Sequence, residues 1–373
     1  MTSQRANRQF HFPITTLLGT SVKNFIDACR GYRFESKFLI RVVLSFIISM
    51  VFELLAAWER IFWNKKLKAV RISKPPVFII GFWRSGTTLL HGLLCEDRDA
   101  AYVTTFHTVF PNLVLSQKWL KKLTNFFLPE KRPYDNYTWD MDSPQEEEFA
   151  IFNLQPYSFY KFFLFPKDFD RIYNEELPFT GFSSGKKENW KKRYLDLIRK
   201  TILDTGGKRY VGKNPCNIYR ILTLKEMFPD AKFIFIYRNP YKVVESLYGF
   251  AHSIIPGIQL QESSGLPDRE RIVKLYCDSM REYFRVRPEI DPENLMEFAY
   301  EDMCKDIPGT IRKIYEKFGM NGFEEALPRM SSYLNGGGKN DRVSPQIPPE
   351  IYQLLNRYAP DIFLELDYRM EER

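Results

Sequence analysis

The stretch PVFIIGFWRSGTTLLH, residues 76–91, decides the fold of this chain. Its apolar run VFII is typical of a buried strand, which breaks at Gly81 into a turn of small residues and continues as an apolar-periodic helix from Thr87. Gly81 and Gly86 let backbone N–H groups approach an anion, and the helix start adds its positive dipole end. The stretch therefore predicts a strand–loop–helix unit that binds phosphate.

This loop departs from the G-x-x-x-x-G-K-[ST] pattern of nucleotide triphosphatases. The glycine spacing is kept, but Thr87 stands in the place of the lysine and the cation is Arg84. A turn that needed glycine only for its geometry would not also call for Arg84, Ser85 and the pair Thr87 and Thr88. We therefore expect a phosphate site that is not built for ATP with magnesium.

Composition narrows the class of protein. A length of 373 residues suits one α/β core with insertions. The net charge of +8 suits a polyanionic small molecule or an acidic membrane surface, and no element clusters lysines and arginines as a nucleic-acid binder would. The five cysteines form no C-x-x-C pair and there are only four histidines, which predicts reduced thiols, a cytoplasmic chain and no metal site. The N-terminus lacks the layout of a secretory signal.

Residues 1–74 are predicted to form an N-terminal helical segment. Its most apolar part, residues 38–63, is interrupted by Arg41, Glu53 and Glu59, so the uncharged run is too short to span a bilayer. Three surroundings remain open for it: the core of the protein, a membrane interface anchored by its tryptophans, or a partner. Membrane contact would be peripheral and on the cytoplasmic face.

Residues 75–373 are predicted to form an α/β domain. The runs KRYVGKNP, KFIFIY and NLMEFAY read as strands that alternate with helices, which predicts a P-loop-like parallel sheet flanked by helices on both faces. Residues 106–205, with many aromatic side chains and no single period in their first half, are expected to be an insertion that shapes a binding pocket.

Arg238 marks a second anion element. It follows the KFIFIY strand, and ligands gather at the carboxyl ends of parallel strands. Pro240 begins a helix, and Ser246 lies about two turns into it, so its hydroxyl can point toward a phosphate held by the guanidinium. A nucleotide with phosphates at two separated positions would fit the two elements.

These two elements resemble those of the sulfotransferases that use 3′-phosphoadenosine 5′-phosphosulfate (PAPS), in their larger bacterial-type branch. In that family P-[KR]-S-G-T-T holds the 5′-phosphosulfate and R-[ND]-P-x-x-x-x-x-S holds the 3′-phosphate; this chain has WRSGTT at 83–88 and RNPYKVVES at 238–246. The resemblance extends over residues 75–320. It implies transfer of sulfonate from PAPS to a hydroxyl, without a metal.

The resemblance also implies roles for individual residues. The 5′ side would be bound by Arg84, Ser85, Gly86, Thr87 and Thr88, and the 3′-phosphate by Arg238 and Ser246, with Lys339 and Arg342 closing over it. Phe82 and Trp83 depart from the family, which frequently has proline there. Lys213 and Arg84 would stabilise charge on the leaving phosphate.

The general base is a histidine in one branch of the family and a glutamate in others. His107 is the expected base here, because a histidine near neutrality can accept the proton of an acceptor hydroxyl. The alternatives are Glu146, Glu147 and Glu148, of which at least two are expected to form only the acidic first turn of a helix. His91 is expected to support the loop.

The acceptor is predicted to be a hydrophobic alcohol such as a sterol, steroid or lipid. His252 is expected near the acceptor. The pocket would be edged by the aromatic side chains of Phe106, Phe110, Tyr157, Phe159, Phe162 and Phe163. Aromatic rings also stack on sugars, so a glycan acceptor stays open. A kinase-like phosphotransferase would explain only the first anion element. A membrane-peripheral scaffold protein would explain neither of the two anion elements.

Overall fold

A computed structural model describes residues 14–127, 139–338 and 346–372. Within these ranges five parallel strands form one sheet in the order β2-β3-β1-β4-β5. Their bounds are Val77–Ile80 (β1), Ala100–Ala101 (β2), Arg209–Lys213 (β3), Lys232–Tyr237 (β4) and Leu295–Ala299 (β5). The predicted parallel sheet is confirmed; the short edge strand β2 was not predicted.

Helices surround the sheet. In chain order they are Val22–Cys29 (α1), Leu39–Ala69 (α2), Thr87–Cys95 (α3), Thr105–Val109 (α4), Lys118–Phe127 (α5), Glu147–Leu154 (α6), Phe169–Glu176 (α7), Ser184–Thr205 (α8), Ile221–Met227 (α9), Pro240–Ile258 (α10), Arg269–Val286 (α11), Tyr300–Lys305 (α12), Ile307–Lys317 (α13), Phe323–Tyr333 (α14), Pro349–Tyr358 (α15) and Pro360–Glu365 (α16). The helices expected after each predicted strand are present.

The sheet is buried on both faces, as a parallel sheet must be because its backbone crossovers cover it. Successive side chains of a strand point to opposite faces. Phe78 and Ile80 accordingly join a core with α8, α10, α11 and α15, whereas Val77 and Ile79 join a second core with α3, α13 and α14. This burial on both sides explains why the strands read as continuous apolar runs.

The N-terminal segment packs on the α/β body. Leu17, Phe25 and Val42 belong to the same hydrophobic core as Phe78 of the central strand. The described part of the segment therefore shares its core with the sheet. Most of the apolar side chains of α2 nevertheless lie outside this core, and many are exposed. Core packing, one of the three expectations for residues 38–63, accounts for only one face of the helix.

The carboxyl ends of the strands meet at one edge. Ile79 of β1 pairs with Lys213, the last residue of β3, and Ile80 pairs with Phe235 of β4. The residues that follow β1, β4 and β5 therefore emerge beside Lys213. All the chemistry predicted from the two anion elements is built at this edge.

Candidate functional site

The loop after β1 has the backbone geometry of an anion cradle. Arg84 has φ 69° and Gly86 has φ 98°, both in the left-handed region. A Cβ at Gly86 would lie 2.1 Å from Cδ2 of Tyr300, so both the conformation and the space require glycine. Ser85 donates to the carbonyl of Phe82 from its N–H (3.2 Å) and its hydroxyl (2.7 Å). These contacts fix the loop so that it opens directly into α3 at Thr87.

The second anion element lies beside this loop. An Nη1 of Arg238 donates to the carbonyl of Arg84 at 3.4 Å, and the guanidinium carbon lies 4.7 Å from the ring centre of Tyr300. The Nε of Arg238 is buried and makes no hydrogen bond. Asn239 caps α10 by accepting from the N–H of Lys242 at 3.3 Å. Arg238 is thus positioned by its neighbours while one of its donors still needs an acceptor.

Arg84 joins the two elements into one site. Its Nε donates to the hydroxyl of Ser246 at 3.0 Å, and its guanidinium carbon lies 5.4 Å from the ring centre of Phe250, also on α10. The backbone of Arg84 therefore belongs to the loop, as expected, but its side chain lies at the element predicted to hold the 3′-phosphate. The structure brings Arg84, Arg238 and Ser246 together.

The donor set fits a nucleoside with phosphates at two positions. The N-terminus of α3 leaves backbone N–H groups without intrahelical partners and carries the hydroxyls of Thr87 and Thr88. The unpartnered Nε of Arg238 and the hydroxyl of Ser246 belong to the second element, which contacts the loop through the main chain and the side chain of Arg84. One group of donors on each element suits a ligand with two anionic ends.

A carboxylate and a lysine lie at the same edge of the sheet. The ammonium of Lys213 donates to Oε1 of Glu146 at 2.6 Å. Tyr160 donates its hydroxyl to the other oxygen of Glu146 and accepts from the indole N–H of Trp83, in the loop, at 2.9 Å. Burial, together with the Glu146 charge, raises the pKa of Tyr160 well above its usual value. This hydrogen-bonded chain ties the Glu146 carboxylate to the anion loop.

Glu147 and Glu148 have structural partners instead. Glu147 is fully buried and accepts from the hydroxyls of Tyr194 and Tyr210 and from the amide of Asn217; burial raises its pKa. Glu148 is paired with Arg220 at 2.5 Å; burial acts to raise its pKa, but the guanidinium charge and hydrogen bonds hold it below its usual value. Two of the three glutamates thus anchor α6 in the core.

His107 does not lie where a base can reach an acceptor. It is fully buried and occupies the third position of α4. Its Nδ1 accepts from the backbone N–H of Thr104 at 3.2 Å, and its own N–H donates to the Thr104 hydroxyl at 3.4 Å, which is a capping box. Burial lowers its pKa to about 3. This placement argues against the expected catalytic role of His107.

The predicted aromatic pocket divides in two. Phe106 and Phe110 are buried with Ala56 of α2, and the ring of Phe110 lies 5.3 Å from that of Phe52. Because α4 packs against α2, these two rings anchor α2 and do not line the site. The expectation that they bind the acceptor is therefore not supported.

The other aromatic side chains lie nearer the loop. The ring of Phe159 is 5.7 Å from that of Trp83, and the ring of Phe163 is 6.4 Å from that of Phe250, which also contacts Arg84. Phe162 stacks on Phe163 at 4.3 Å. The contacts between these rings form a continuous, largely buried cluster from the loop to α10, which is called the apolar wall below.

The remaining predicted residues take more distant or structural positions. His91 is buried with Nε2 3.3 Å from the carbonyl oxygen of Val211, so it fixes α3 against β3. His252 bonds through Nδ1 to the carbonyl of Tyr248 at 2.9 Å on α10. Tyr157 packs on Phe182, with their ring centres 6.0 Å apart. Lys339 and Arg342 lie outside the described residues.

Sequence reasoning missed Tyr160 and Tyr300. Tyr160 bonds both Trp83 and Glu146, and Tyr300 closes the space beside Gly86 and Arg238. The position of Tyr300, directly after a strand whose carboxyl end reaches the site, is a signal that would have identified it. In the described ranges no group of three or more His, Cys, Asp or Glu side chains is placed to hold a metal ion.

Comparison with known proteins places this geometry in context. The profile of the sulfotransferase family matches residues 75–325. Omega-hydroxy-beta-dihydromenaquinone-9 sulfotransferase Stf3 of Mycobacterium bovis is 33% identical over 328 residues, 87% of this chain and 84% of that protein. The protein of the same name from Mycobacterium tuberculosis gives the same values.

Two solved structures share the fold. Sulfotransferase STF9 from Mycobacterium avium superposes with a TM-score of 0.69 at 19% identity, covering 94% of this chain and 91% of that one. Sulfotransferase STF1 from Mycobacterium tuberculosis superposes with a TM-score of 0.65 at 18% identity, covering 90% of each chain. Both alignments extend well beyond the residues 75–325 that the family profile matches.

Proposed function

The chain belongs to the sulfotransferase family of PAPS-dependent enzymes, and on this premise we propose that it transfers the sulfonate of PAPS to the hydroxyl of a lipid. The observation that carries the proposal is the contact between the two anion elements. Arg84 of the loop bonds Ser246, and Arg238 bonds the Arg84 carbonyl, so one bisphosphorylated nucleoside can contact both. This arrangement would hold the donor by its two phosphate ends.

We assign the donor contacts by position. The loop from Ser85 to Gly86 and the hydroxyls of Thr87 and Thr88 at the start of α3 would bind the 5′ end, where the helix dipole favours negative charge. Arg238 and Ser246 would bind the 3′-phosphate, with the free donor of Arg238 satisfied by a phosphate oxygen. Lys339 and Arg342 keep their proposed place over the 3′-phosphate.

Glu146 is the proposed general base. PAPS supplies the sulfonate, whose bond to the 5′-phosphate oxygen breaks as the acceptor oxygen bonds to sulfur. Glu146 would accept the proton that leaves the acceptor hydroxyl. Its side chain is 20% exposed whereas that of Lys213 is 4% exposed, so the carboxylate is the member of the pair that an acceptor can reach.

Lys213 has two proposed roles. As the ion-pair partner of Glu146 it holds the carboxylate beside the anion loop, at 2.6 Å from its own ammonium. Its charge at the end of β3, next to the loop, would also stabilise the negative charge that develops on the leaving phosphate. The guanidinium of Arg84, which was also expected to stabilise this charge, lies at Ser246 of α10 instead, so its proposed place is at the 3′ side of the donor.

The acceptor is proposed to be a lipid alcohol. The apolar wall of Phe159, Phe162, Phe163 and Phe250 beside the loop suits a hydrophobic chain, and a relative of 33% identity is named for a hydroxylated menaquinone. Sterol and steroid alcohols share this chemistry. The site is proposed to act on the cytoplasmic side of the cell.

The direct test is transfer from radiolabelled PAPS. The purified chain would be incubated with a hydroxylated isoprenoid quinone, a sterol, a steroid alcohol and an oligosaccharide in separate reactions, and the products separated by thin-layer chromatography. Label in a lipid product supports the proposal. Label only in the oligosaccharide would show that the acceptor is a glycan and not a lipid. If no product is labelled although adenosine 3′,5′-bisphosphate still binds, the proposed lipid acceptor is wrong.

A further inference from the structure

Helix α2 exposes an apolar face along its whole length. Its exposed large apolar side chains recur at helical spacing: Leu39, Ile40, Val43, Leu44, Ile47, Met50, Val51, Leu54, Trp58, Ile61 and Phe62. Ile40, Leu54 and Ile61 are each 75% exposed. At 1.5 Å per residue the face from Ile40 to Phe62 extends over roughly 33 Å. By length and composition the helix could cross a membrane.

Polar side chains in the first half of α2 point the other way, into the body. Ser45 accepts from the N–H of Thr15 at 2.8 Å, and Ser49 donates to the carbonyl of Leu17 at 3.2 Å. Arg41 donates to the carbonyl of Gln259 at 2.9 Å. The usual amphipathic pattern is thus inverted, with the polar face bonded to protein and the apolar face outward.

Glu53 and Glu59 continue this bonded face. Glu53 accepts from the N–H of Val22 at 3.1 Å, and Glu59 accepts from the N–H groups of Leu115 and Ser116 at 3.0 Å each. Lys200 pairs with Glu59 at 3.0 Å. Crossing a bilayer would break these bonds and place the charged side chains in hydrocarbon. These contacts are therefore incompatible with a helix that spans a bilayer.

A second helix extends the apolar face. On α5, Trp119 and Leu123 are exposed, whereas Leu120 is buried against Ala56 of α2. Lys118 and Lys122 are exposed on the same helix. An exposed tryptophan beside lysines is typical of an element that lies at the headgroup boundary.

The end of α2 is basic. Residues 60–74 contain six lysines and arginines, namely Arg60, Lys65, Lys66, Lys68, Arg71 and Lys74, and no acidic residue. Lys65, Lys66 and Lys68 are exposed, and a surface groove here is lined by Lys68, Arg71 and Arg199. A positive rim beside an apolar face is complementary to an anionic membrane.

We propose that α2 and α5 dock this protein on an anionic lipid bilayer, with α2 in the plane of the interface. A second copy of the chain fits this face less well. Two-fold pairing would place basic ends together, because Arg33 precedes the helix and Lys65 to Arg71 follow its apolar face. Docking on the bilayer does not depend on the proposed function. Delivery of a lipid acceptor from the bilayer to the site does rest on it.

The test is flotation of the full chain with vesicles, without PAPS. One vesicle contains phosphatidylcholine alone and the other adds phosphatidylglycerol. We expect the chain to float with the anionic vesicles. Charging the face in the variant I47E/L54E/I61E should weaken binding by roughly tenfold or more for each side chain. Lys65→Gln, Lys66→Gln and Lys68→Gln together should weaken anionic binding by about fivefold per lysine.

The matched control is L222E/L364E, which charges exposed leucines on α9 and α16. It should float like the original chain. Circular dichroism and stabilisation by adenosine 3′,5′-bisphosphate show that each variant is folded. Equal flotation by the triple glutamate variant, or no flotation with either vesicle, would overturn the proposal.

Analytical ultracentrifugation without lipid tests whether a second copy of the chain covers the apolar face. A dimer that the triple glutamate variant converts to a monomer, in a chain that binds no vesicle, would show that another copy covers the face and would also overturn the proposal. Transfer to a short, water-soluble alcohol, measured separately, reports on the chemistry. Flotation can therefore fail while transfer succeeds, and the reverse.

Discussion

Glu146→Gln tests the assignment of the base most directly. Glutamine keeps the shape of the side chain and an oxygen that can accept from Lys213, which lies 2.6 Å from the present carboxylate. It cannot take up a proton as a carboxylate does. Losing a general base costs about 10²- to 10⁴-fold in rate, which is about 2.7–5.4 kcal/mol in activation free energy. We expect turnover to fall by that factor.

The fold should survive this substitution. Losing one charge-assisted hydrogen bond costs about 1–3 kcal/mol, and the other ties of α6, from Glu147 and Glu148 to the core, are untouched. The assay is transfer from radiolabelled PAPS to the best acceptor under single-turnover conditions. Stabilisation by adenosine 3′,5′-bisphosphate, read from the melting temperature, should be unchanged.

His107→Gln is the matched control. Glutamine is a natural third residue of a capping box, so the bonds to Thr104 can be kept. We expect His107→Gln to retain turnover. The reasoning is refuted if His107→Gln loses more than about a hundredfold in rate with a normal bisphosphate-induced shift, while Glu146→Gln remains active.

Three further predictions follow from the site and the core. Arg238→Ala should weaken binding of adenosine 3′,5′-bisphosphate by about 10- to 150-fold, because it removes a charged donor; calorimetric titration measures this, and unchanged affinity would contradict the assignment. Gly86→Ala should lower the free energy of unfolding by about 1–3 kcal/mol or more, since its Cβ would lie 2.1 Å from Tyr300; Gly185→Ala, with nothing within 4 Å, is the control in chemical denaturation. In the folded chain burial lowers the pKa of His107 from 6.5 to about 3. As the pH falls from 6.5 toward 3, the unfolded chain therefore binds a proton that the folded chain does not, and the free energy of unfolding decreases. His107→Gln should show a shallower decrease of this free energy over the same pH range, and parallel plots of it against pH for the two chains would contradict the prediction.

The two anion elements could be predicted because each is encoded locally. In WRSGTT and in RNPYKVVES, a strand end, a turn and a helix start follow one another along the chain, so spacing alone fixes their geometry. Parallel pairing of the strands then brings the two elements to one edge of the sheet. Distant packing played no part in these predictions.

The base could not be chosen in the same way. Glu146, Glu147 and Glu148 are consecutive in sequence, and only their distant partners distinguish them. Lys213 lies 67 residues from Glu146, and Arg220 lies 72 residues from Glu148. His107 looked suitable because its residue type has the right pKa, but the pKa depends on burial that a sequence does not display.

The orientation of α2 is encoded in the spacing of its polar residues. Ser45, Ser49 and Glu53 recur every four residues and mark the face that bonds to the body. Along the chain, Arg41, Glu53 and Glu59 only interrupt an apolar stretch, and the face that Glu53 and Glu59 share with the two serines becomes evident from their bonds to the body. The sequence places Phe106 and Phe110 in the acceptor pocket for a related reason. Their burial against α2 depends on which face of that helix packs on the body.

The position of Arg84 affects how substitutions there should be interpreted. Its main chain shapes one end of the nucleotide site while its side chain reaches α10, where Nε meets Ser246. Lysine has no atom equivalent to Nε, so Arg84→Lys would retain the charge but lose the link to α10. A kinetic defect in that variant would report on both ends of the donor at once, and separating them requires Ser246→Ala as its partner in a double-mutant cycle.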